Sequence, residues 1–182
     1  ALLVVGDNVR YYQDNNDVDL VVRKDGFLKI TGNLEAEHEI DGFIESQEGT
    51  AGYLGTDFAI KKAELKFARE YGENTPWLKA ECEAKAKDEE REYIISLLVD
   101  GLADNDLLPK LTSSPALTTK EIFYLLEYGR LYKQYGLMEN GQEEHDIKRV
   151  LAVGFLTYID KAYQNVLIKP FERTIKRKLG LH

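Results

Sequence analysis

The chain has 182 residues, of which 43% are hydrophobic and 31% are charged, and its formal net charge is −8. This is the composition of a folded globular protein, so it excludes a disordered chain. No apolar run approaches the roughly 20 residues that a membrane-spanning helix needs, so the sequence predicts no membrane span.

The charge is spread unevenly along the chain. Residues 1–50 carry 11 acidic and 4 basic side chains, whereas residues 169–182 carry 5 basic side chains and 1 acidic one. An acidic region repels a phosphate backbone and a basic segment attracts it. Nucleic-acid binding is therefore not expected, except through the basic tail.

The first 55 residues show the period of β-strands, because apolar and polar side chains alternate along them. The dipeptide Asp25-Gly26 lies between two such runs and predicts a hairpin turn, since Gly tolerates the positive φ of tight turns. Gly42 lies on the apolar side of the run 34–45 and predicts a bulge or bend. The glycine-rich residues 49–55 predict the connection out of the sheet. This region is interpreted as a small antiparallel β-meander, an acidic head.

After residue 56 apolar residues recur every three or four positions, which predicts helices. The helices are expected at 57–71, 75–100, 118–136 and 143–168, with a linker at 101–117. Thr75-Pro76 resembles a helix start, and Thr118 with Glu121 forms the pattern of a capping box.

Residues 169–182 form the third predicted unit, a basic amphipathic arm. Phe171 is expected on its apolar side, opposite Lys176, Arg177 and Lys178. The predicted fold class is thus α+β, with a β-rich head at 1–55, a four-helix body at 56–168 and a short helical tail at 169–182.

The acidic residues of the head are the first candidate site. On a strand their side chains would share one face at intervals of roughly 7 Å, and this spacing is unfavourable without screening. The alternatives are a solvated face, a docking face for a basic partner, or a Ca²⁺ or Mg²⁺ site. The residues concerned are Glu35, Glu37, Glu39 and Asp41.

A tyrosine stripe on the third predicted helix is the second candidate. Tyr124, Tyr128 and Tyr132 recur at intervals of four residues and share one helix face. Tyrosine is enriched at protein interfaces because it is large, rigid and tipped with a hydroxyl group. The stripe is therefore interpreted either as core or as a partner interface.

The sequence contains no motif that names a reaction. There is no Gly-rich phosphate loop and no nucleophile elbow, and the single cysteine, Cys82, lacks a nearby base. We therefore expect no catalytic residue, no cofactor and no metal site. A lone cysteine is typical of a reducing compartment, so a cytoplasmic or other intracellular location is expected, including a virion.

These observations favour a non-enzymatic assembly subunit of an oligomeric particle, such as a phage or virus virion. It would self-associate through its aromatic helix faces and its basic arm, as a homo-oligomer or within a multi-protein complex. One alternative is an adaptor that binds a basic protein through the acidic β face. Another is a divalent-metal enzyme that uses the carboxylates of the head.

Overall fold

The computed structural model describes residues 2–7, 9–13, 18–32, 38–71, 75–104, 106–129 and 147–154. These residues form one antiparallel sheet of nine strands, two short helices and a 3-10 turn. The strands are β1 (Leu2–Val4), β2 (Val9–Gln13), β3 (Val18–Val22), β4 (Phe27–Gly32), β5 (His38–Tyr53), β6 (Thr56–Phe67), β7 (Trp77–Lys87), β8 (Glu92–Leu102) and β9 (Lys110–Ser114). The helices are α1 (Thr119–Tyr128) and α2 (147–154), and the 3-10 turn is Arg69–Tyr71.

The sheet is an up-and-down meander. Its order is β1-β4-β5-β6-β7-β8-β9, with β3 also beside β5 and β2 beside β3. Strands β3 and β4 pair with successive parts of the same long strand: Val22 lies opposite Ser46, and Phe27 lies opposite Phe43. Residues 18–32 therefore run alongside β5 in a single direction, with a break between β3 and β4. Each pair of neighbouring runs in the sheet is antiparallel.

The hairpin predicted at Asp25-Gly26 is wrong. The chain does not reverse there, because β3 and β4 on either side run in the same direction along β5. Asp25 has a φ of 72°, and its N–H donates to the carbonyl of Val5 at 3.2 Å. The N–H of Val5 in turn donates to the carbonyl of Gly26 at 2.8 Å. The positive φ of Asp25 therefore interrupts the regular strand between β3 and β4 without reversing the chain.

One face of the sheet is buried beneath the helices. Strand β8 shows the alternation most clearly, since Tyr93, Ile95, Leu97 and Val99 are buried while the residues between them are half-buried or exposed. These four side chains belong to one core with residues of α1 and α2. The hydroxyl of Tyr53 links the sheet to α2, because it donates a hydrogen bond to the main-chain carbonyl of Leu151 at 2.7 Å.

A second, smaller core lies on the same face of β4, β5 and β6. It consists of Leu28, Ile30, Ile40 and Phe67, all of which are buried. Leu65 packs against both cores and joins them.

Gly42 marks a close approach of two strands. A Cβ atom built there would lie 2.1 Å from the carbonyl oxygen of Phe27, and the φ of Gly42 is +129°. Only glycine fits both constraints. The predicted exit from the sheet at 49–55 is wrong for most of its length, because β5 continues to Tyr53. The turn itself is Leu54-Gly55, and both residues have positive φ, as in the tight two-residue hairpins that suit sheet twist.

The predicted four-helix body is wrong. Residues 57–71 and 75–100 fall mainly in β6, β7 and β8, so the fold is mostly antiparallel sheet. A register shift between Ile60 and Lys62 inserts one residue into β6, which changes the spacing of its buried residues from two to three and imitates a helix. Strand β7 is composed largely of Ala, Lys and Glu, which favour helices in isolation, but pairing with β6 and β8 overrides this preference.

The predicted start of the third helix is confirmed. The hydroxyl of Thr118 accepts from the N–H of Glu121 at 3.3 Å, and the carboxylate of Glu121 accepts from the N–H of Thr118 at 2.9 Å. The helix stops at Gly129 rather than Gly136, because Gly129 adopts a left-handed cap. The predicted linker 101–117 contains β9, and residues 147–154 are helical, as expected for the fourth helix.

The predicted tail at 169–182 lies outside the described residues. Strands β5 and β6 pair across the predicted boundary at residue 55, so the sheet is continuous there. The division into three domains otherwise stays a prediction. No helix in the described part of the chain has the length and apolar character needed to cross a membrane.

Candidate protein-interaction surface

The face of the sheet opposite the helices is the candidate surface, and we refer to it as the open face. Its side chains come from the alternate positions that point away from the two cores. Most of them are charged or polar, as expected for a solvated sheet face. Its apolar residues include one group aligned across several strands, and others, such as Ile94 and Leu98, lie elsewhere on β8.

Six residues on the open face lie side by side across six strands. The pairing runs from Val4 to Phe27, from Phe27 to Phe43, from Phe43 to Lys66, from Lys66 to Trp77 and from Trp77 to Leu102. We call these six residues the aromatic row. Five of them are apolar or aromatic, and Lys66 is the exception.

Ring contacts hold the row together. The rings of Phe27 and Phe43 meet edge to face, with centroids 5.4 Å apart. The ring of Trp77 lies 5.8 Å from that of Tyr71, which follows β6 in the 3-10 turn. The Lys66 Nζ atom lies 5.9 Å from the centre of the Tyr71 ring, within the range of a cation–π contact. The row thus has apolar groups on both sides of a single cation, Lys66.

The orientation of Trp77 is fixed by a hydrogen bond. Its indole Nε1–H donates to a carboxylate oxygen of Asp100 at 2.8 Å, and Lys79 approaches the same carboxylate at 3.4 Å. The indole donor, followed by Lys79, lowers the pKa of Asp100 below its ordinary value. The Asp100 carboxylate therefore stays ionised at neutral pH and continues to accept the hydrogen bond from Trp77.

Much of the row is accessible to a partner. Val4 is 58% exposed and Trp77 is 37% exposed, whereas Phe27, Phe43 and Leu102 are half-buried. Large apolar groups that remain accessible side by side mark interaction surfaces more often than scattered ones do.

Charged residues occupy the next positions along the strands. Two positions along the strands from the row, Glu45 lies opposite Glu64 and Lys79 lies opposite Asp100. Part of this charge is neutralised within the sheet, since Arg23 approaches Glu45 at 2.8 Å. Lys66, by contrast, makes no ion pair with any residue in the described ranges.

The described half of the predicted acidic ladder lies on the same open face. Glu39 and Asp41 are exposed on β5, as the alternation predicted. The Glu39 carboxylate accepts from the Nη2 of Arg69 at 2.7 Å, and Asp41 lies opposite Lys29 on β4. The ladder is therefore interleaved with cations rather than uniformly acidic. Glu35 and Glu37 lie outside the described residues.

The described part of the tyrosine stripe lies on α1. The rings of Tyr124 and Tyr128 stack with centroids 5.6 Å apart, and Tyr128 is 59% exposed. Tyr124 is half-buried and packs against the main core, which agrees with the core interpretation for this residue. The interface interpretation of the stripe stays a prediction. The other predicted interaction residues are outside the described ranges: Tyr132, Phe171, Lys176, Arg177 and Lys178.

The described residues provide neither a reactive thiol nor a metal cluster. Cys82 is buried in the main core, and burial raises the pKa of its thiol to about 11. Within these ranges, no group of three or more His, Cys, Asp or Glu side chains could hold a metal ion.

The family comparison decides the identity. Residues 2–175 match the TamB C-terminal domain family, which is nearly the whole chain. The chain belongs to the TamB C-terminal domain family. A comparison with curated proteins gave no significant match.

Membership of this family corrects the predicted function, its two alternatives and the predicted location. TamB domains belong to outer-membrane assembly and translocation in bacteria, so the virion subunit is wrong. The two alternatives, an adaptor for a basic partner and a metal enzyme, are wrong on the same ground. The cytoplasmic or virion location is also wrong, since the family points to the bacterial envelope. The single cysteine does not decide the location, because a buried lone thiol is compatible with both a reducing and an oxidising compartment.

Two other predictions agree with the family. TamB domains are non-enzymatic, which confirms that the chain is not an enzyme. They work in complexes with other proteins, which confirms the expectation of protein partners.

The aromatic row is not among the sites that the sequence predicts. Lys66 and Trp77 lay in segments that were expected to be helical, where they could not be neighbours of Phe43. A visible signal was the alternation of β7, in which Leu78, Cys82 and Ala84 are buried between charged residues. The register that aligns the row depends on pairing between distant strands, and no local pattern reveals it.

Proposed function

We propose that this chain is a non-enzymatic module that acts with partner proteins in assembly or translocation at the bacterial outer membrane. The observation that carries the proposal is the match to the TamB C-terminal domain family over residues 2–175. The fold supports it, because the described helices pack on one face of a broad sheet and exposed side chains remain on the other face.

Two surfaces are proposed to contact the partners. The first is the part of the open face formed by the aromatic row with the neighbouring Glu39 and Asp41. The second is the exposed side of α1, where Tyr124 and Tyr128 stack. Tyrosine at such positions adds a large contact area at a small cost in side-chain entropy. TamB works with TamA, so TamA is the first partner to test.

A matched pair of variants tests the function in cells that carry this protein. Ile95→Asp places a charge in the main core, where Ile95 is fully buried. Ile94→Asp places it on the open face but beside Lys85, at the other end of β8 from Leu102 of the aromatic row. The readout is the folded fraction of outer-membrane β-barrel proteins, measured by heat-modifiable migration on gels. We expect Ile95→Asp to lower the folded fraction as strongly as deletion of residues 2–175, and Ile94→Asp to leave it close to that of the parent.

Normal barrel assembly in the deletion strain would refute the proposal. Co-purification with TamA provides an independent reading, and it is expected for the parent and for Ile94→Asp but not for Ile95→Asp. Retention of TamA by the Ile95→Asp chain would show that the folded sheet is not what TamA binds.

A further inference from the structure

We propose that the aromatic row binds an amphipathic helix of a protein partner, and that a carboxylate within the apolar stripe of that helix pairs with Lys66. This inference rests on the proposed function, since it names the chemistry of the partner on one of the two surfaces. It is carried by the register of six strands, the ring contacts of the row and the position of its single cation.

The dimensions of the row suit a helix that lies across the strands. Neighbouring strands are roughly 4.8 Å apart, so six aligned positions span about 24 Å. A helix rises 1.5 Å per residue, so about 16 residues cover that length. Its apolar side chains recur about once per turn of 5.4 Å, which nearly matches the strand spacing. Each turn of the helix can therefore rest on one strand of the row.

The charge of Lys66 determines what the helix must carry. Its stem lies between Phe43 and Trp77 in the row, and its ammonium group reaches the Tyr71 ring. A helix docked on the row removes water from that ammonium, which is costly unless an anion replaces the water. No carboxylate among the described residues pairs with Lys66, so the proposed partner supplies the anion.

The surroundings of the row favour a narrow partner over a membrane surface. Glu45, Glu64 and Asp100 lie on the same face, each two positions along its strand from a residue of the row, which is about 7 Å. A lipid surface broad enough to cover the row would also cover these carboxylates and desolvate them. A helix about 10 Å wide can bury the row while these charges stay at its margin in water.

The row is preorganised for binding. The bond from Trp77 to Asp100 and the edge-to-face contact between Phe27 and Phe43 hold three of the rings in place before a partner arrives. A surface that is already ordered loses less side-chain entropy on binding.

Trp77 supplies the assay, because it is the only tryptophan in the chain. The probes are two synthetic helical peptides of 18 residues, identical except at one central position of a leucine stripe. That position is Glu in one peptide and Lys in the other. We expect the Glu peptide to shift Trp77 emission to the blue and to bind at least about tenfold more tightly than the Lys peptide.

Charge reversal at Lys66 provides the decisive variant. With Lys66→Glu the preference is expected to invert, so that the Lys peptide binds more tightly. Lys110→Glu is the matched control, since Lys110 is also exposed on the open face but lies on β9, away from the row. It is expected to keep the preference of the parent.

Three binding results would overturn the inference, and one result in cells would reject the row as a site. The binding results are equal affinity for the two peptides, an unchanged preference in Lys66→Glu, and a blue shift with phosphatidylglycerol vesicles in the absence of any shift with peptides. In cells, Lys66→Glu is expected to lower the folded fraction of barrel proteins. Normal assembly in that strain, together with the loss in Ile95→Asp, would reject the row as a site while leaving the proposed function intact.

Discussion

Adjacent isoleucines on β8 offer the sharpest test of the fold. Ile95 is fully buried in the main core, whereas Ile94 is 45% exposed on the open face between Lys85 and Ser114. Truncation of either residue to Ala removes three carbon atoms, at about 0.8 kcal/mol for each when fully buried. Ile95→Ala also leaves a cavity, so we expect it to lower the free energy of unfolding by about 3.5 kcal/mol. Ile94→Ala leaves no cavity and loses about half of the burial, so we expect about 1 kcal/mol.

Urea denaturation followed by Trp77 fluorescence and by far-UV circular dichroism measures both values. With a slope of roughly 2 kcal/mol per molar urea, the midpoint is expected to fall by about 1.7 M for Ile95→Ala and about 0.5 M for Ile94→Ala. An unchanged slope in both variants is the control for the comparison. If residues 94 and 95 were equally buried, as in a helix enclosed on all sides, the two costs would be equal. Equal costs would therefore refute the strand assignment of β8.

Three further variants or measurements probe other parts of the structure. Gly42→Ala places a Cβ atom against the carbonyl of Phe27 at positive φ, and we expect it to lower the urea-derived stability by at least about 2 kcal/mol; a smaller loss would argue against the close approach. Tyr53→Phe leaves the Leu151 carbonyl without its donor and is expected to cost about 1–2 kcal/mol in the same assay; no measurable loss would mean that this bond does not fasten α2. The Cys82 thiol has a folded pKa of about 11 against an ordinary 9.0, so stability is expected to decline as the pH rises above 9. At pH 8 the folded thiolate fraction is roughly 100-fold below that of the unfolded chain, so rapid reaction of the folded protein with a thiol reagent would contradict its burial.

Features set by a few neighbouring residues could be predicted from the sequence. Thr118 and Glu121 lie within one helical turn, and their reciprocal hydrogen bonds depend on nothing distant. The alternation around Ile40 likewise identified a strand, because one face of β5 is buried and the other is not.

Features set by pairing between distant strands could not be predicted in this way. The extra residue at Lys61 shifts the pattern of β6, and without knowledge of β7 it resembles a helical period. The Ala, Lys and Glu residues of β7 have helical preferences that only pairing with β8 overrides. The aromatic row, which combines residues as far apart as Val4 and Leu102, exists only once the register is set.

A distance measured across the aromatic row tests both the continuous sheet and the proposed docking surface, since both depend on it. Spin labels would be placed at Val4→Cys and Leu102→Cys in a Cys82→Ala background, and their separation measured by double electron–electron resonance. The account predicts one population with a Cα separation of at most about 24 Å, to which the label arms add up to about 10 Å, because five strand spacings set that upper limit. A dominant population beyond about 40 Å would contradict the continuous sheet, and with it the aromatic row.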